Sequence, residues 1–175
     1  MIYDDTVTLF NYHAKTGSWR TTVFEKTHLL DVKSRTATRD SGFTNNDSVE
    51  LIIRTQTDRS AHTRIYKPHL ILTDEGDTIV DSYGFQLSYI EPDTDEVRAY
   101  VGPKSYANLD DPSGHFTFAA ERDFFMVGNH YSQEPIDDDY DEGLYHAMND
   151  ANDGVYMITT AAYFGLIPHF EIGGR

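Results

Sequence analysis

The sequence predicts an all-β protein, a small barrel or sandwich with one short helix and a β-rich insertion. Three observations lead there: short apolar runs recur about every ten residues, turn residues separate them, and their polar and apolar positions alternate with the two-residue period of a strand. The closing stretch, Gly154 to Arg175, is the longest with almost no charge. It is rich in β-branched and aromatic residues, and Gly165 and Pro168 interrupt it where a continuous helix would not tolerate them. It reads as two strands joined by a bend, with Phe170 and Ile172 on one face and His169 and Glu171 on the other.

At the amino terminus Thr6-Val7-Thr8-Leu9-Phe10 alternates, placing Val7 and Leu9 on one face. Lys15-Thr16-Gly17-Ser18 is a turn, and Trp19 opens a second extended run that continues to Val32, completing a hairpin. Lys33 to Ser48 is mostly Ser, Thr, Asp, Asn and Arg and is expected to be a long exposed loop. A third strand follows at Ser48–Thr55, with Val49, Leu51 and Ile53 facing one way, and a fourth at Pro68–Leu72. Further short strands are expected at Phe85–Ile90, Val97–Val101, His115–Phe118 and Phe124–Gly128. One helix interrupts them, over about 139–152, where Tyr140, Leu144, Met148 and Ala151 form a stripe. Asp141 and Glu142 are expected in its first turn, and Asn152-Asp153-Gly154 ends it. The organisation expected is a barrel core from residues 1–66 and 154–175 and an acidic insertion over 67–153, or a single domain overall.

Charge divides the chain. Up to residue 70 there are 10 Lys and Arg against 8 Asp and Glu, and beyond it 4 against 21. An acidic body of this kind disfavours DNA or RNA, whose binding depends on cations displacing phosphate counterions. A bipolar chain is suited instead to head-to-tail stacking of its own copies or to docking on basic protein surfaces. With no cysteine there is neither disulfide nor thiolate metal site, and an intracellular product is expected. The acidic start, Met1-Ile2-Tyr3-Asp4-Asp5, is unlike a secretory leader, and no run approaches the length of a membrane-spanning helix.

Motifs for chemistry are missing. There is no G-x-S-x-G, no phosphate-binding glycine loop and no G-x-G-x-x-G, and the eight histidines fall in neither H-x-H nor H-E-x-x-H spacing. Asp137, Asp138, Asp139, Asp141 and Glu142 are weak candidates for a hard cation such as Ca²⁺, but they lack the fixed offsets and the turning glycine of a calcium loop. Glu142 and His146, four apart on the expected helix, have a spacing that could share a ligand and that more often marks an ordinary charge-assisted contact. No enzyme activity and no cofactor are therefore expected. Of the twelve tyrosines, Tyr83, Tyr89, Tyr100 and Tyr106 stand among polar residues and are expected at a surface. With Arg35, Arg39 and Phe43 of the polar loop they make up the candidate protein interface, and the acidic segment from Gln133 to Glu142 is a second contact region.

Two stretches carry a resemblance. The opening Met1 to Asn11, followed by a glycine turn and Trp19, resembles the start of small β-barrel proteins from the head-to-tail connector region of tailed phages and Gram-positive prophages. Val155-Tyr156-Met157-Ile158 and Leu166 to Gly174 look like the end of the same group. The resemblance implies a virion protein of the neck, of the head-completion or stopper type. Such a protein forms a ring of its own copies under the portal and adaptor, with tail proteins and the passing genome DNA as its other contacts. It would be made in the host cytoplasm and end in the particle. A tail-completion or tail-tube-associated protein is the neighbouring alternative. A carbohydrate-binding or carbohydrate-cleaving β module, using exposed tyrosines and a carboxylate pair, is the alternative from another class.

Overall fold

The structure, a computed structural model, describes residues 3–38, 42–54, 63–66, 86–90, 97–164, 167 and 169–175. The strands run β1 (Asp5–His13), β2 (Ser18–Thr38), β3 (Gly42–Arg54), β4 (Thr63–Tyr66), β5 (Gln86–Ile90), β6 (Val97–Tyr100), β7 (His115–Phe116), β8 (Phe124–Val127), β9 (Ile136–Asp137), β10 (Val155–Phe164) and β11 (His169–Gly174). Two helices interrupt them, α1 (Pro103–Asn108) after β6 and α2 (Leu144–Ala151) before β10. Six antiparallel strands form a closed barrel in the order β1-β8-β10-β11-β3-β2, with β2 returning to β1. The all-β expectation holds, and α1 is a helix it did not include.

Closure depends on the length of β2. Its first half pairs with β1, from His13↔Ser18 to Asp5↔Thr27, and its second half pairs with β3 from His28↔Ile52 onward. At the other seam the four residues of β8 bridge β1 and β10: Phe125 lies opposite Leu9 on one side and Tyr156 on the other. The barrel thus takes a strand from within 67–153, the segment expected to be an insertion. The two terminal hairpins expected from the sequence are present, β1 with β2 and β10 with β11.

Inside the barrel the alternation read from the sequence holds. Val7, Leu9, Phe24, Val49, Leu51, Ile53, Phe125, Ile158, Phe170 and Ile172 make one buried cluster. Tyr100, Phe116 and Phe118, from β6, β7 and the turn after it, join that cluster, with the Tyr100 ring 4.9 Å from Phe170 and Phe116 5.3 Å from Phe24. The opposite face of the closing strands is covered as well. Phe10, Trp19, Phe124, Met126, Val155 and Leu144 of α2 form a second cluster, in which Phe10 stacks on Phe124 at 4.5 Å. This is why β1 carries an almost unbroken buried run instead of a half-exposed one.

Two expectations are corrected here. Lys33 to Ser48 is not a loop: Lys33↔Asp47, Arg35↔Asn45 and Ala37↔Phe43 are cross-strand pairs of one hairpin. Polarity does not exclude a strand, because the ladder is made by main-chain groups and Thr is among the residues that favour it. Helix α2 starts at Leu144, not 139, because Glu142 and Gly143 take φ of 67° and 88°, outside the helical region. Asp141 and Glu142 therefore precede the first turn, and Leu144 N–H is held by Asp138 Oδ1 at 3.2 Å. The fourth strand expected at Pro68–Leu72 lies outside the described residues.

Candidate functional site

The most elaborate polar arrangement is buried, where the turn 117–123 crosses β1. Asp123 and Thr117 are fully buried and Asn11 is 1% exposed. Asn11 Nδ2 donates to Thr117 O at 2.7 Å and to Asp123 Oδ2 at 2.8 Å, and the N–H of Ala119 reaches Asp123 Oδ2 at 3.0 Å. Tyr12 N–H donates to Asp123 Oδ1 at 3.2 Å and Arg122 Nε at 3.3 Å. Burial pushes the Asp123 carboxyl up to about 6, against the opposing pull of the Arg122 charge and these donors. A closed seam of this kind positions a turn on a strand, and its burial gives no substrate access.

The linkage sign follows from that shift. The unfolded carboxyl ionises near 3.8 and the folded one near 6, so between those pH values the folded state holds more protons and stability falls as pH rises. At 1.36 kcal/mol per pH unit the loss attributable to Asp123 reaches about 3 kcal/mol above pH 6. Comparing urea midpoints of the parent and Asp123→Asn from pH 4 to 7 isolates this contribution. The difference between the two curves is expected to change across that window, and parallel curves would refute the assignment.

A second buried pair lies beside the β1–β2 turn. His13 Nδ1 is 3.0 Å from Thr16 Oγ1 and Nε2 is 3.1 Å from Leu109 O, and the Tyr106 ring stands edge-on at 5.6 Å. Burial lowers the His13 pKa, as it does that of His115, and raises the Tyr106 phenol well above its usual range, helped by the Asp123 charge. All three groups therefore stay neutral near pH 7.

Tyr106 and Tyr100 were expected at a surface, and both are core residues, 0% and 6% exposed. Their polar sequence neighbours do not share their face: in α1 Pro103 and Lys104 are exposed while Ser105 and Tyr106 turn inward. Tyr89 lies in β5, opposite Thr63 and Arg98. Tyr83 and Arg39 lie outside the described residues. Arg35 and Phe43 occupy opposite strands of the β2–β3 hairpin, two pairs apart in register. The acidic candidates Asp137, Asp138, Asp139, Asp141 and Glu142 are exposed, and no three His, Asp or Glu side chains converge among the described residues. Glu142 and His146 do not share a helix face, since Glu142 precedes α2, and His146 instead stacks edge-on against Tyr145 at 5.3 Å.

The surface offers a further candidate. The β11–β3 ladder ends at Gly174↔Val49 and the β1–β2 ladder at Asp5↔Thr27, yet β2 and β3 stay paired from Val32↔Ser48 to Thr38↔Gly42. A ribbon of seven pairs thus runs on past the barrel ladders, about 23 Å at roughly 3.3 Å per residue. At its base a shallow groove of about 480 Å³ is lined by Ser48, Glu50, Thr160, Ala162, Glu171 and Gly173 among others, with no aromatic side chain in it among the described residues. A sugar-stacking site would need one. Sequence reasoning missed this surface because the ribbon lacks the apolar alternation that marks a strand.

No family model matches this chain, and neither the curated proteins nor the solved structures hold a match to it. The class that fold and surface define is a closed six-stranded antiparallel barrel whose β2–β3 hairpin runs on past the barrel ladders, with two half-buried acidic groove residues at its base. No helix among the described residues is long and apolar enough to cross a membrane.

Proposed function

We propose that this protein is a structural component of a tailed phage or prophage particle, a ring-forming protein of the head-tail junction that acts by assembly and not by catalysis. The observation that carries the reading is the ribbon. Two strands alone are marginal in water, and a ribbon held past its barrel is stabilised when a neighbour completes it. Charge supports the same reading: residues 32–48 include Lys33, Arg35 and Arg39 against Asp40 and Asp47, while the chain as a whole carries −15. A weakly basic arm and an acidic body attract between copies. The two stretches that resemble connector proteins also support it, since they fold into two hairpins of the same barrel, β1–β2 and β10–β11, joined through β8 on one side and β3 on the other.

The test is mass spectrometry of purified, DNA-filled particles from the source culture, with copy number set against the portal protein. A ring-like ratio to portal is the expected result. Absence from intact particles would overturn the reading.

A further inference from the structure

The geometry points to an anion site at the polar end of the barrel interior, where a monatomic anion such as chloride is held between the Arg20 and Arg122 guanidiniums and the Tyr106 and Thr117 hydroxyls. The site is independent of the assembly reading. Strand register brings its groups together. Leu9↔Thr22, Asn11↔Arg20 and His13↔Ser18 are successive pairs on one face of the β1–β2 ladder, the face that points into the barrel at Leu9. A different element covers each pair. Thr22 Oγ1 accepts from Arg98 Nη1 of β6 at 3.1 Å, Asn11 Nδ2 is bonded to Thr117 and Asp123, and the His13 ring meets Tyr106 of α1 edge-on. Arg20, on the middle pair, therefore lies among all three. Arg122 is tied to the same place by the bond from its Nε to Asp123 Oδ1. The charges of Asp123, Arg20, Arg98 and Arg122 all act on the Tyr106 phenol, in keeping with this convergence.

Four donors here have no acceptor. Arg20 Nε, Arg122 Nη2, the Tyr106 hydroxyl and the Thr117 hydroxyl are buried and make no hydrogen bond among the described residues, and Tyr106 and Thr117 are themselves 0% exposed. The two guanidinium atoms can only donate, and buried donors left unpaired are costly, so the cluster calls for a shared acceptor.

Charge fixes the sign of that acceptor. Arg20, Arg98 and Arg122 bring three positive charges to this layer, and Lys15 adds to the positive field at His13. Against them stand Asp123, bonded to Arg122, and Asp111, fully exposed, whose charge Arg20 also senses. Burial keeps His13 and His115 neutral. In a chain of net charge −15 the interior layer is thus locally positive. A water molecule would accept hydrogen bonds there and leave the buried charge uncompensated, whereas an anion answers both demands. The four atoms are shut off from solvent, so the occupant has the size of a single atom. It enters past Arg20 and Arg122, which are half-buried and whose flexible stems can rotate apart.

Thermal melts in which sodium chloride replaces sodium gluconate at constant ionic strength read the site, because an ion that binds only the folded state raises its melting temperature. Above the dissociation constant, each tenfold rise in chloride is expected to raise the midpoint by about 3 to 5 °C for a chain of this size. Tyr106→Phe removes one donor with little change of shape. It should melt at or above the parent in gluconate, where the hydroxyl is unpaired, and below the parent in chloride. Arg20→Gln, at a half-buried position, should flatten the chloride dependence. Crystals grown in sodium bromide should show an anomalous peak within hydrogen-bond reach of the Tyr106 hydroxyl. A parent midpoint indifferent to chloride, a gap between parent and Tyr106→Phe that is the same in both salts, or bromide crystals without that peak would each overturn the site.

Discussion

Replacing Val32–Ser48 with Asn-Gly is expected to give a monomer whose barrel is otherwise intact. Asp31 and Val49 are the last pair before the ribbon, and a two-residue type I′ turn matches the twist of two antiparallel strands, so the cut closes without strain. The excised pairs lie beyond the last β1–β2 and β11–β3 pairs, Asp5↔Thr27 and Gly174↔Val49, so no barrel ladder is cut. Folding stability should therefore move by no more than about 1 kcal/mol, or about 4 °C for a chain of this size. Assembly should be lost altogether if, as proposed, the ribbon is the docking element. Size-exclusion chromatography with light scattering and a thermal melt on the same sample read both effects. An oligomer identical to the parent would remove the ribbon from the mechanism.

Phe125→Ala is expected to destabilise the fold by about 3 to 5 kcal/mol, the usual cost of truncating a fully buried phenylalanine. The position is severe for two reasons. Phe125 is 0% exposed at the centre of β8, the four-residue strand that joins β1 to β10, so its ring holds the seam as well as the interior. It also fills space that Gly174 leaves, since a Cβ there would come 3.0 Å from Phe125 Cε1 and Cζ and 3.0 Å from Tyr156 Cβ. Gly174→Ala alone should thus be destabilising through overpacking, by about 1 to 3 kcal/mol. In the Phe125→Ala background the ring contact is gone, and the methyl group fills part of the cavity. The double variant should be more stable than the sum of the two costs predicts, by about 1 kcal/mol or more. Additive urea midpoints would show that the two positions do not share that space.

The elements legible in the sequence were those whose faces differ. Val7 and Leu9, Val49, Leu51 and Ile53, and Phe170 and Ile172 announced their strands because alternate positions had to be apolar, and all of them point into the barrel. The ribbon strands show no such alternation in sequence, so polarity there signalled loop when the backbone was paired. Tyr100 and Tyr106 misled in the opposite way. Their neighbours along the chain are polar, but burial is decided by neighbours in space, here Phe170, Phe118 and His13. The seam at Asp123 was invisible because its partners, Asn11, Tyr12 and Ala119, are scattered along the chain and share no spacing rule. No local signal predicts which of 29 acidic residues will be enclosed.

The position of β11 in the barrel bears on the timing of assembly. It follows the other five barrel strands in sequence, and it must insert between β10 and β3 before β10 is held straight past Ile158. Contacts this distant in sequence form late and slowly. Until they do, the barrel stands open between β10 and β3, although the ribbon, whose two strands are neighbours in sequence, can already be paired. Formation of the ribbon and closure of the barrel are thus separable in time, and the surface on which the proposed assembly relies exists before the body that carries it is finished.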